Sequence, residues 1–208
     1  MKHASVVGLA TALLVGCDGA TPPERPAPYD YAIRLEDGPI LSFHWPVASL
    51  PVRFWVEADM DMEQIVQSAI AQWKSTALYG EFDGVLVADS TVADVLVRTG
   101  TPFASVPESP VNCGGATNIG VELDTTITLP FIVTLNARLG VDGSSVRECF
   151  ALVAVHELGH TLGLFLHSDD PQDLMHARPN PAGLSPRDVA TFTHLYHSPV
   201  SVRLPPDR

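Results

Sequence analysis

Apolar residues follow regular patterns along most of the chain after residue 30. In several short segments they alternate with polar residues or include many β-branched side chains, as strands do. These segments cover residues 31–36, 52–57, 85–88, 93–98 and 126–135. Between residues 101 and 117, Pro, Gly, Ser and Asn are frequent, which predicts a long loop.

Three other segments show helical spacing. The first begins near Asp61, a candidate N-cap, and has an apolar stripe over residues 65–73. The second runs over about 144–162. The third begins at Ser185, where Asp188 can complete a capping box. Strands and one helix thus precede two further helices, which predicts an α/β (α+β) domain.

The first residues are typical of an export signal. Lys2 precedes an apolar run over 4–15, which is too short to span a membrane. The run ends in Leu-Val-Gly-Cys17, which resembles a bacterial lipobox, in which the cysteine after the cleavage site carries a lipid. The alternative is an ordinary signal peptide with an accidental cysteine. The expected organisation is a signal peptide over 1–16, a lipidated Cys17 with a Pro-rich tether over 17–30, and one domain over 31–208.

Composition fits a globular domain. The 208 residues are 46% hydrophobic, which is enough for a buried core. The formal net charge of −12 argues against a nucleic acid partner and against electrostatic binding to an anionic bilayer. From the leader and its Leu-Val-Gly-Cys end, we expect an extracytoplasmic, membrane-anchored lipoprotein that is monomeric and contacts the membrane through its N-terminal lipid.

Apart from Cys17, the predicted lipidation site, the chain contains two cysteines, Cys113 and Cys149. In an oxidising compartment such a pair favours a disulfide, and two free buried thiols are the alternative. Neither residue lies in a Cys-x-x-Cys pair, which argues against a zinc knuckle.

The run His156-Glu157-Leu158-Gly159-His160 lies within the second predicted helix. Residues four apart share a helix face, so both imidazoles can bind one Zn²⁺ at about 2.0–2.1 Å. Zinc lowers the pKa of a bound water toward about 7, so the Glu157 carboxylate can remove its proton. The run predicts a zinc hydrolase. The alternative is a helix with two ordinary histidines.

With its flanks, this run resembles the metzincin consensus, and the matrixins with related bacterial enzymes are the most similar group. The resemblance covers His156 to Leu164, then His167-Ser168, Leu174-Met175 and the segment 184–196. It implies a twisted, mainly parallel sheet with three helices, an active-site helix and a Met-turn. It also implies a zinc endopeptidase that cleaves protein or peptide substrates in a cleft with zinc at its bottom, with Glu157 as general base and then acid.

The third zinc ligand departs from the family spacing. The resemblance implies His167, but the family position is occupied by Leu166, one residue earlier. His167 can reach the metal only if the helix ends near Gly163, and we expect residues 164–166 to form a bulge that buries an apolar side chain. No Glu follows Glu157, so a downstream Glu ligand is excluded. The rivals of His167 are His176, Asp169, Asp170, Asp173 and Asp188.

Other readings of these residues remain open. The resemblance implies that Met175 forms the apolar floor beneath the metal, whereas plain core packing is the alternative. The aspartates at 169, 170 and 173 could bind Ca²⁺, but a solvated acidic turn is favoured. A catalytically silent, metzincin-like binding lipoprotein is the main functional alternative. A zinc hydrolase of non-peptide substrates is a further one.

Overall fold

The computed structural model describes residues 26–36, 38–57, 61–100, 113–137, 143–206 and 208. The predicted signal peptide, Cys17 and most of the tether lie outside these residues. Within them, no helix has both the length and the apolar character needed to cross a membrane.

One five-stranded sheet forms the centre of the fold. The described residues form seven strands, five of which belong to this sheet. They are β1 (Ile33–Arg34), β2 (Ile40–Leu41), β3 (Val52–Val56), β4 (Gly84–Leu86), β5 (Val95–Thr99), β6 (Cys113–Val121) and β7 (Ile127–Ala137). The sheet has the order β4-β3-β5-β7-β6, and β1 and β2 form a separate antiparallel pair. All pairs in the large sheet are parallel except β6 with β7, which confirms the mainly parallel sheet.

The described residues contain three α-helices, as expected. They are α1 (Met62–Lys74), α2 (Gly143–Thr161) and α3 (Pro186–Tyr196). The apolar stripe of α1 is buried, and the indole N–H of Trp73 donates to the carbonyl oxygen of Val155 on α2 at 2.8 Å. The indole of Trp45 likewise donates to Thr161 at 2.9 Å. These buried hydrogen bonds fix α2, the helix that bears the histidine motif, against the core.

The two predicted helix caps have different outcomes. Ser185 begins α3 with a complete capping box that includes Asp188, as predicted. Asp61 does not cap α1 through its side chain: its backbone is left-handed, with φ of 57°, and its carboxylate pairs with Arg147 at 3.2 Å. The predicted side-chain cap at Asp61 was therefore wrong, because its carboxylate accepts no hydrogen bond from the first turn of α1 in this backbone conformation.

The prediction of a loop over 101–117 was wrong for residues 113–117. Residues 101–112 lie outside the described residues, but β6 already begins at Cys113 and includes Gly115, which pairs with Leu135 of β7. Strand formation depends on pairing and packing more than on intrinsic preference. Pairing with β7 therefore makes this segment a strand, although its glycines disfavour strand structure.

The packed chain extends further toward the N-terminus than residue 31. Tyr29, within the predicted tether, is 5% exposed. Its backbone N–H donates to the hydroxyl of Thr191 on α3 at 3.2 Å. Tyr29 therefore belongs to the core, although the predicted tether included it.

Candidate metal centre

Helix α2 ends at Thr161, just before the segment that leads to the third histidine. Gly163 follows α2 with φ of +104°, a conformation that favours glycine. A Cβ at this position would lie 1.8 Å from the carbonyl oxygen of Phe43, so a larger residue could not make the same turn. The backbone N–H of Leu164 then bonds to the carbonyl of Gly159, which closes the helix end.

The connection after Gly163 contains the expected apolar anchor. Leu164 is fully buried and Phe165 is 9% exposed, and the Phe165 N–H bonds to the carbonyl of Tyr31 at 3.0 Å. These contacts confirm that the segment buries apolar side chains, and they direct the following His167 back toward α2.

Three imidazoles meet at this point. One nitrogen from each of His156, His160 and His167 lies within 4.8 Å of the others. The ring centroids are 4.9 Å apart for 156 and 160, 5.2 Å for 156 and 167, and 5.1 Å for 160 and 167. Neither His176 nor any carboxylate joins this cluster in the part of the chain that the structure describes.

Backbone carbonyls orient the two buried imidazoles. Nδ1 of His156 lies 2.8 Å from the carbonyl oxygen of Leu174, and Nδ1 of His160 lies 2.6 Å from that of Leu164. A carbonyl oxygen only accepts, so each Nδ1 must carry the proton and each Nε2 keeps its lone pair. This arrangement, in which the second nitrogen of a ligand histidine donates to an oxygen, is the usual one at metal sites.

The protonation states also suit a metal. Burial lowers the pKa of His156 to about 4 and that of His160 to about 3, so both rings are neutral at physiological pH. Burial also lowers the pKa of the more exposed His167. Neutral nitrogen donors at this spacing fit a tetrahedral zinc site with an open position.

A buried carboxylate on α3 supports His156 from behind. Asp188 is fully buried and accepts hydrogen bonds from the backbone N–H groups of Leu174 at 2.8 Å and Met175 at 3.3 Å. It also accepts from the Ser185 N–H at 2.8 Å and from the hydroxyl of Tyr29 at 3.0 Å. Since Leu174 also accepts from His156, Asp188 links α3 to the imidazole. The sequence indicated the capping role of Asp188 but not this second one.

Met175 packs against α2 at Gly159. The side chain is fully buried, and a Cβ at Gly159 would lie 2.4 Å from its sulfur. Gly159 lies between His156 and His160 in the sequence, and its missing side chain leaves room for the thioether against this turn of α2.

Glu157 is buried between α2 and β6. It is 4% exposed, and the hydroxyl of Thr117 donates to its Oε2 at 2.7 Å. Burial raises the pKa of the Glu157 carboxyl to about 7, and the hydrogen bond from Thr117 acts against this shift. Sequence reasoning missed Thr117, because 40 residues separate the pair and no local pattern relates them.

The acidic turn is neutralised by an arginine. The guanidinium of Arg187 contacts Asp169 at 2.7 Å and Asp173 at 3.2 Å. Asp173 also accepts from the hydroxyls of Ser168 and Ser185. An internal cation thus already satisfies these carboxylates, so the contacts favour an ion-paired turn over the Ca²⁺ site considered above.

Cys149 is disulfide-bonded and 5% exposed. Its predicted partner, Cys113, begins β6, but the side chain of Cys113 lies outside the description. The pairing of the two therefore stays a prediction.

Comparison with known proteins agrees with this geometry. The matrixin family model matches residues 128–197, from β7 through the three histidines to the end of α3. The protein is matrixin-like. Macrophage metalloelastase of Rattus norvegicus is 46% identical over 54 residues, which cover 24% of this chain and 11% of the rat protein. The matrixin-like segment thus coincides with the elements that build the histidine cluster, and the chain spans only about a tenth of that relative.

Proposed function

We propose that this matrixin-like protein is a zinc-dependent endopeptidase. His156, His160 and His167 would hold the metal, and Glu157 would act as general base and then as general acid. The observation that carries the proposal is the cluster of three imidazole donors within 4.8 Å, with two tautomers fixed so that Nε2 is free. The similarity to a protein named a metalloelastase supports the same activity.

When bound, zinc would polarise the scissile carbonyl and make water a better nucleophile at neutral pH. Glu157 follows His156 directly on α2, so its carboxylate is available to take the proton of the attacking water and pass it to the leaving amine. The low exposure of Glu157 keeps competing bulk water away from this carboxylate. Met175 would form the apolar floor under the ligands.

The sheet edge favours peptides over small substrates. β6 is an outer strand of the five-stranded sheet and packs beside α2, where Thr117 contacts Glu157. An edge strand can add an extended peptide through its backbone N–H and C=O groups. A peptide bound in this way would lie beside the histidine cluster, which supports proteolysis over the hydrolysis of non-peptide substrates.

A silent binding protein is less well supported. Its basis was the one-residue shift before His167, and the turn at Gly163 with the buried Leu164 accommodates that shift. The general base of the motif, Glu157, is also retained.

Purified protein should contain one zinc per chain and should cleave members of a peptide library. A chelator should abolish cleavage, and stoichiometric zinc should restore it, because the proposed mechanism needs the metal. Zinc content is measured by atomic emission and cleavage by mass spectrometry. Stoichiometric zinc without cleavage of any peptide would favour the silent binding protein, and absence of zinc would refute the proposal.

His167→Ala should weaken zinc binding by more than about 100-fold, the upper range for residues that only support a ligand. His176→Ala should leave zinc affinity near that of the wild type, because His176 does not belong to the cluster of three histidines. Competition titration with a chromophoric chelator measures both. Normal zinc affinity in His167→Ala together with its loss in His176→Ala would reverse the ligand assignment.

We further propose that the protein is exported and anchored by a lipid on Cys17. The support is the apolar run over 4–15 and its Leu-Val-Gly-Cys end. Mass spectrometry of the mature N-terminus tests this, and a mature chain that begins elsewhere without lipid would refute it.

A further inference from the structure

The face of β6 that meets α2 is formed by alternate residues. Gly115 pairs with Leu135 and Thr117 with Val133, and both β7 partners are fully buried. Directly paired residues share a sheet face, so Gly115 and Thr117 point to the covered side. The intervening Ala116 is exposed, as alternation along a strand requires.

The Glu157 carboxylate packs against these two residues. The hydroxyl of Thr117 lies 2.7 Å from Oε2 and 3.1 Å from the backbone carbonyl oxygen of Glu157. A Cβ at Gly115 would come within 2.5 Å of Oε1 and within 2.5 Å of Cγ. The glycine thus leaves the space that the carboxylate fills, while the threonine supplies a hydrogen-bond donor to it.

We propose that Thr117 is a positioning residue that holds the Glu157 carboxylate in its working orientation, within a space that Gly115 leaves open. This inference rests on the proposed peptidase function. A glutamate side chain has several rotatable bonds and loses considerable entropy when it is fixed. A directed hydrogen bond to a buried carboxylate, together with a tight contact on its other oxygen, selects one orientation before substrate binds.

Two substitutions separate the hydroxyl from the shape of the side chain. Thr117→Val keeps the branched shape and removes the donor, whereas Thr117→Ser keeps the donor. If Thr117 positions the base, Thr117→Val should lower kcat by about 10–100-fold, the usual range for residues that orient a catalytic or ligand group. KM and zinc affinity should change little, and Thr117→Ser should retain most of the wild-type kcat.

Thr128 provides a matched control on the neighbouring strand. Its hydroxyl also donates to a glutamate, Glu122, at 3.2 Å, but this pair is exposed. Thr128→Val should therefore keep wild-type kcat. Equal kcat in Thr117→Val and wild type, or equal losses in Thr117→Val and Thr117→Ser, would overturn the proposal.

A second measurement does not depend on activity. In metal-free protein, Thr117→Val should lower the urea midpoint of unfolding, because it leaves a buried carboxylate without its donor. In a Glu157→Ala background the same substitution should lower the midpoint much less. Equal drops in both backgrounds would mean that Thr117 only packs, and would refute the positioning role. If wild-type protein cleaves no peptide, the proposed function fails, and this coupling still decides whether Thr117 holds the carboxylate.

Discussion

Glu157→Ala should lower peptide turnover by about 10²–10⁴-fold, the usual contribution of a positioned general base. Zinc binding should remain, because the proposed donors belong to His156, His160 and His167 and not to Glu157. Single-turnover kinetics on a cleavable peptide measure the loss, and zinc content is determined on the same samples.

Glu148 is a suitable control for this experiment. It lies on the same helix, α2, but is exposed to solvent, so Glu148→Ala should retain full turnover. If Glu157→Ala cleaves peptides as fast as the wild type, Glu157 is not the base. If Glu157→Ala loses its zinc, the kinetic result reports metal loss and the separation of the two roles on α2 is wrong.

Asp188→Ala should lower the free energy of unfolding by roughly 3–5 kcal/mol, because several buried donors lose their common acceptor. The substitution leaves the backbone N–H groups of Leu174, Met175 and Ser185 and the hydroxyl of Tyr29 without their acceptor. Each buried donor that loses its partner costs about 1–3 kcal/mol before any rescue by water. Urea unfolding in the presence of a chelator measures the effect without a contribution from zinc.

The same variant should bind zinc about 10–100-fold more weakly, since Asp188 fixes Leu174, whose carbonyl orients His156. Tyr29→Phe is the graded control: it removes one donor and leaves the carboxylate with its backbone partners, so the loss should stay near 1 kcal/mol. Unfolding of Asp188→Ala at the wild-type urea midpoint would show that the carboxylate does not stabilise the segment with Leu174 and Met175.

The sequence predicted those elements that depend on residues close together in the chain. Examples are the apolar stripe of α1, the capping box at Ser185 and the alternation in β3. Each is formed by residues of a single helix or strand. The motif on α2 likewise placed two histidines on one helix face, and the need to shorten the helix located the turn at Gly163.

Features that depend on long-range pairing were not predictable in this way. The glycines at the start of β6 have low strand preference, and only their pairing with β7 makes them a strand. The contact between Thr117 and Glu157 joins residues 40 apart, and that between Tyr29 and Asp188 joins residues 159 apart. In the same way, Asp61 had the residue type of a cap, but its left-handed backbone and its contact with Arg147, 86 residues away, are not encoded in the local pattern.

The most direct test of the zinc site is anomalous diffraction at the zinc edge from crystals of the zinc-loaded protein. We predict a single strong peak at about 2.0–2.1 Å from one nitrogen each of His156, His160 and His167. At His156 and His160 this nitrogen should be Nε2, because Nδ1 donates to a backbone carbonyl. A peak bound instead by His176 or by the aspartates of the acidic turn, or no peak among the three histidines, would contradict the account.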